Sequence, residues 1–184
     1  MNTLKPLKKE EANFETRQIF TELKSKIGMV PNLYAAMGVS NKLLSGYLSF
    51  VETLKSGEFS GKEYEVIALA TSQINNCEYC ISAHTTLGKM QGLSGFETLE
   101  IRQNTVIDKK LSALVSLVSE IISKNGYPYE TTISEFLLAG YSKAAFAELI
   151  AIVTMTTLTN YIHHNGNFEI DFPKAQPLNN KRTA

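Results

Sequence analysis

Cys77 and Cys80 are the only cysteines in the chain, and they stand in a C-x-x-C spacing. His84, one of three histidines, follows the second cysteine by four residues. A free thiol titrates near pH 8.5 and becomes a useful nucleophile when a helix N-terminus or a basic neighbour favours its anion. If Cys80 stands in the first turn of a helix entered through Asn75, Asn76 and Cys77, backbone N–H groups and the helix dipole favour that anion. His84 then lies on the same helical face, one turn on, within reach for proton exchange. Cys77 is placed to attack an oxidised Cys80 and close a disulfide. Glu65, near the start of an apolar helical run, is the candidate carboxylate to orient or deprotonate the imidazole. It reaches the site only if its helix packs back against the next one.

Each residue has a plainer alternative. The cysteines could be packing residues. They could also bind zinc, with His84 as third ligand and His163 or His164 as fourth, although a structural zinc site usually needs two such pairs. Glu65 could be a solvated helix residue. His163 and His164, near a helix end, could be surface residues that compensate the helix dipole.

The elements that must position these groups read as helices throughout. Apolar residues recur with a helical period from Phe14 to Ile27, which Gly28 ends. Asn32 to Met37 is a short piece after Pro31. Ser40 or Asn41 caps a helix with the face Leu43, Leu44, Tyr47, Leu48, Val51 and Leu54. Ser60 and Glu63 have the spacing of a capping box ahead of the run that carries Glu65. Asn75-Asn76 breaks that run, and a helix from about Cys80 to Met90 carries His84. Ser94 and Asp108 are caps for two further helices, Thr132 to Ala139 is short, and Ser142 to about His163 is the last long one. No stretch alternates as a strand does. The expected fold is all-α, with eight or so helices joined by short turns. Residues 1–12 are polar and read as loosely held.

Bulk properties exclude some classes. Eighteen basic residues balance eighteen acidic ones, so no global field draws nucleic acid or an anionic membrane surface. The N-terminus has no apolar region of the kind a secretory signal needs. Ala144 to Ile162 is the most apolar segment, but Glu148 and several Thr residues interrupt it, and it reads as a core helix. A cytoplasmic setting is the expectation, and there a lone C-x-x-C is more often redox-active or metal-binding than a structural bridge. Nearly every helix carries an apolar face, which favours a homo-oligomer. A faint internal repeat aligns Glu65 with Glu148 and sets Cys77, Cys80 and His84 opposite Asn160, His163 and Asn167.

Glu65, Cys77, Cys80 and His84, in the setting SGKEYEVIALATSQINNCEYCISAH, resemble the motif of the alkylhydroperoxidase D-like, carboxymuconolactone decarboxylase-related proteins. The lead-in MVPNLYAAM and the late TNYIHHNGNFEIDFP resemble the peroxidase-related branch. The resemblance divides the chain into a helical N-terminal segment over 1–27, the family domain over 28–173 and a tail over 174–184. It implies an all-helical fold of related halves, assembled as trimers or hexamers. It also implies a thiol-dependent peroxidase acting on hydrogen peroxide or organic hydroperoxides, without cofactor or metal. Cys80 would be the attacking thiol, Cys77 the resolving thiol, and His84 with Glu65 the proton relay. An external dithiol protein would return the electrons. The best-studied peroxidases of the family carry a second histidine between the cysteines, where this chain has Tyr79. True decarboxylases of the superfamily lack the cysteine pair, which argues against that reaction.

Overall fold

The computed structural model describes residues 3–178; residues 179–184, the end of the expected tail, lie outside it. Nine α-helices and no β-strand are present among the described residues: α1 Phe14–Ile27, α2 Asn32–Met37, α3 Asn41–Lys55, α4 Gly61–Ile74, α5 Glu78–Met90, α6 Gly95–Gln103, α7 Lys109–Ser123, α8 Glu130–Leu138 and α9 Lys143–Gly166. The expected all-α fold is the observed one. Most starts are set by short polar side chains satisfying orphan backbone donors, at Asn13, Ser40, Ser60, Ser94, Asp108 and Ser142. Ser60 and Ser94 form full capping boxes with Glu63 and Glu97.

Helix α4 is the centre of the fold. Every residue from Tyr64 to Ser72 is buried, as expected for a helix covered on all sides. It packs on α5, α6, α7 and α9. One core cluster joins Val66, Ile67 and Leu69 of α4 to Leu114, Leu117 and Val118 of α7, Phe136 of α8, and Leu149 and Ile152 of α9. Helix α9 has mean hydropathy 1.4 and is long and apolar enough by composition to cross a membrane. It packs here on α2, α3, α4, α5 and α7 and so serves as the core helix that its sequence suggested. It runs beyond His163 to Gly166, ending at Asn167 in the left-handed region (φ 43°).

A second cluster brings α1, α2 and α3 over the start of α5. It contains Phe20, Leu33, Met37, Leu44, Cys77, Tyr79, Cys80, Ile162 and Phe168. Leu4 and Leu7 pack against it, and the Leu7 N–H bonds the Ala35 carbonyl at 3.1 Å. The N-terminal stretch is therefore held down, contrary to its polar average, because two leucines in it find the cluster.

The turn between α4 and α5 sets the site. Asn76 adopts a left-handed conformation (φ 54°), which asparagine tolerates better than most residues. The Cys77 N–H bonds the Ser72 carbonyl at 3.0 Å, and the Asn76 N–H bonds the Gln73 carbonyl at 3.1 Å. This is the Schellman pattern that closes a helix C-terminus. Asn160 of α9, fully buried, anchors the turn from outside: it accepts from Asn75 Nδ2 at 2.9 Å and donates to Ser72 Oγ at 3.3 Å. Asn160→Ala leaves both partners without that bond, and we expect a loss of about 1–3 kcal/mol in urea unfolding. An unchanged midpoint would show that the turn holds itself.

Candidate active site

Cys77 ends α4 and begins α5. It is the N-cap residue of α5, and its sulfur accepts from the Cys80 N–H at 3.3 Å. The helix starts at Glu78 rather than near Cys80, because cysteine fills the capping position usually taken by Ser or Asp. Cys80 is consequently in the first turn, where the helix dipole favours an anion. The two cysteines are joined as a disulfide with Cα atoms 5.3 Å apart. Both are buried, Cys77 fully and Cys80 to 2% exposure.

His84 follows one turn along α5. Its Nδ1 meets Glu65 Oε2 at 2.8 Å, with the carboxylate side chain only 6% exposed. Helix α4 does pack back against α5, and the contact that the sequence left open is made. Gly88, one turn beyond His84, leaves room for Leu93: a Cβ there would stand 2.7 Å from Leu93 Cδ1, while Glu65 Cβ, at 3.6 Å, would be in ordinary contact. With Nδ1 held by the carboxylate, Nε2 is the imidazole nitrogen left for proton exchange.

Cys80 and His84 line one small cavity of about 60 Å³, with Pro31, Tyr34, Tyr47, Tyr79, Leu87 and Phe172 among its walls. That is room for a molecule of a few heavy atoms. A larger surface groove of about 670 Å³ runs between the N-terminal segment and α1, past Lys8, Lys9 and Lys24. It contains none of the sulfur or imidazole groups, so the small cavity is the candidate site.

Tyr79 does not stand in for a second histidine. Its ring is buried edge-on to Phe168 and Phe172 and lies 5.3 Å from that of His163. Its hydroxyl accepts from the Leu33 N–H at 3.3 Å and stands beside the Asp171 carboxylate. Asp171 Oδ2 in turn accepts from the Asn32 N–H at 2.6 Å. Tyr79 and Asp171 together satisfy the first donors of α2, which lacks a side-chain cap of its own. Burial, then the Asp171 contact, raises the phenol pKa.

The paired histidines part company. His164 is exposed. His163 is buried, with Nε2 3.2 Å from the Phe168 carbonyl and Nδ1 unpartnered. It is therefore a packing residue rather than a surface counter-charge to the helix dipole. The expected zinc alternative finds no assembled ligands: among the described residues no three His, Cys, Asp or Glu side chains gather to hold a metal ion. Tyr34 and Tyr47 are the wall residues that motif reading did not single out, although Tyr34 lies within MVPNLYAAM.

Fold and sulfur site together define a class of protein. Residues 42–118 match the carboxymuconolactone decarboxylase family. The fold matches the alkylhydroperoxidase AhpD core of a peroxidase-related protein from Ralstonia eutropha, with TM-score 0.81 and 18% identity over 91% of this chain and 93% of that one. A peroxidase-related protein from Silicibacter gives TM-score 0.78 at 19% identity, over 91% and 92% of the two chains. The debrominase Bmp8 gives TM-score 0.76 at 16% identity, over 92% of both chains. In sequence, 88 residues are 26% identical to an alkyl hydroperoxide reductase of Mycobacterium tuberculosis, covering 47% of this chain. The matched segment spans only 26% of that relative's length. The chain thus has an AhpD-like fold that carries a C-x-x-C pair.

Burial lowers the pKa of His163, and the neighbouring His164 adds to this against opposing effects of the Phe168 carbonyl and Glu78. A histidine whose folded pKa lies below its unfolded value of about 6.5 binds protons more readily when unfolded. Stability is then lost as pH falls through 6.5 toward the folded value. His163→Phe should flatten the drop in urea midpoint between pH 7.5 and pH 5.5. Parallel curves for the two proteins would remove His163 as the titrating group.

Proposed function

We propose that the chain is a cofactor-independent thiol peroxidase that reduces hydrogen peroxide or small organic hydroperoxides through Cys77 and Cys80. The observation that carries this reading is the convergence on one small cavity of a first-turn cysteine, paired with its resolving partner, and an imidazole held by a buried carboxylate 2.8 Å away. In the reduced protein, Cys80 passes its proton to His84 Nε2. The thiolate attacks the terminal oxygen of the hydroperoxide; an S–O bond forms, the O–O bond breaks, and the departing oxygen takes the proton from His84. Cys80 is left as a sulfenic acid and the peroxide as an alcohol or water. Cys77 then attacks the Cys80 sulfur, an S–S bond forms, and the sulfenic oxygen leaves as water with the Cys77 proton. An external dithiol protein returns two electrons and two protons to the disulfide. Glu65 keeps the imidazole in the tautomer that can accept a proton at Nε2.

Cys80→Ser should bring peroxide consumption down to the buffer rate with the helical spectrum intact. Cys77→Ser should stop after one equivalent and accumulate a sulfenic acid that dimedone traps. Stopped-flow oxidation of the reduced wild type no faster than a free thiol would favour the disulfide reductase or redox sensor instead.

The proposed setting is cytoplasmic, and the proposed assembly is a homo-oligomer, a trimer or a hexamer. Its support is an outer apolar face on α9, where Ile150, Leu158 and Tyr161 are exposed. Light scattering should give a mass several times 20.4 kDa; a monomer would contradict it.

A further inference from the structure

Tyr34 and Tyr47 form the part of the cavity wall that faces Cys80 and His84 from α2 and α3. Their rings stand 5.9 Å apart at 55°, which sets the two phenols side by side on the wall. Neither hydroxyl bonds a backbone group or an acidic side chain among the described residues. Burial, reinforced by the Glu65 carboxylate, pushes the Tyr34 phenol up to about 12; burial, with Tyr34 beside it, also raises Tyr47 well above its ordinary value. Both therefore stay protonated donors at neutral pH. Even if the two hydroxyls bond each other, one proton is left over, and the cavity they line is where it can be used. The rest of the wall is apolar apart from Tyr79, whose hydroxyl accepts from the Leu33 N–H of α2 beside Asp171, and Thr159, whose hydroxyl donates to the Thr156 carbonyl at 2.7 Å.

We propose that Tyr34, oriented by Tyr47, donates a hydrogen bond to the departing oxygen of a small hydroperoxide while Cys80 attacks the terminal one. This rests on the peroxidase reading and assigns that site its substrate-polarising donor. As the O–O bond breaks, negative charge grows on the departing oxygen, which a preorganised neutral donor in a water-poor cavity stabilises more than the ground state. His84 still delivers the proton, and Tyr34 ends the step unchanged. Helix α2 supplies the precision. Its first two N–H groups are pinned by Asp171 and Tyr79, so the residue between the cysteines also fixes the helix that carries the donor.

The test compares two electrophiles. Iodoacetamide alkylates a thiolate and expels iodide, which needs no hydrogen-bond donor, so it reports thiolate formation and access alone. Tyr34→Phe keeps the ring and should lower the second-order rate with hydrogen peroxide roughly 10- to 100-fold. Its iodoacetamide rate should stay within about twofold of wild type. Tyr47→Phe should lower the peroxide rate less, in the same direction. If Tyr34→Phe slows both reagents equally, Tyr34 acts on the thiol or the fold and the proposal fails. An unchanged peroxide rate also overturns it. A wild-type protein that reacts with peroxide only at free-thiol speed defeats the peroxidase reading itself, a different and separately visible result.

Discussion

The contact between Glu65 and His84 is the constraint around which this molecule is arranged. A carboxylate at the centre of the most buried helix is costly unless a partner is held against it. The partner stands on the next helix, so α4 and α5 must pack closely and in one register. The turn at Asn75-Asn76 sets the direction of that approach. Cys77 is common to both helices, closing the backbone of one and capping the other. The geometry that pairs Glu65 with His84 therefore also puts Cys80 in the first turn of α5. Relay and thiols are placed by one turn.

The cavity wall is built from further away. Helix α2 is only six residues long, too short to hold itself in place. It is kept by bonds from Tyr79 and Asp171, which lie 46 and 139 residues along the chain from their partners. The tyrosine between the cysteines thus ties the sulfur turn to the opposite wall and to the C-terminal segment. A histidine there would offer a titrating group to the sulfur; the tyrosine offers rigidity. In the proposed reaction, activation of the thiol then rests on the helix start and on His84.

Much of this was legible in the sequence because it is local. Ser60 with Glu63, Ser94 with Glu97 and Asp108 with Leu111 mark helix starts whatever surrounds them. The spacing of Cys77, Cys80 and His84 is meaningful once they share a helix. What could not be read depends on contacts between distant segments. Nothing in Glu65's own neighbourhood marks it as buried, since a carboxylate on a helix is usually solvated. Tyr34 and Tyr47 occupy ordinary apolar helical positions, and only the packing of α2 and α3 over α5 turns their hydroxyls toward sulfur. His163 looked like a helix-end surface residue because α9 was expected to stop there; three more residues of helix and the return of Phe168 bury it. Helix α5 starts earlier than its apolar rhythm suggested because cysteine is an unusual cap.

The faint repeat explains why the sulfur site sits where it does without a counterpart in the second half. In the aligned register, Asn160 stands where Cys77 does and His163 where Cys80 does. Helix α4 stops before that point, at a left-handed Asn76, whereas α9 runs through it without interruption to Gly166. A cysteine inside a continuous helix has its own N–H tied to the preceding turn and gains no free donors to hold a thiolate. The break after α4 frees those donors. The unbroken helix serves the site differently, since Asn160 clamps the turn ahead of Cys77 and His163 backs Tyr79. The proposed chemistry therefore falls where the helix is interrupted, and the supporting contacts come from the helix that is not.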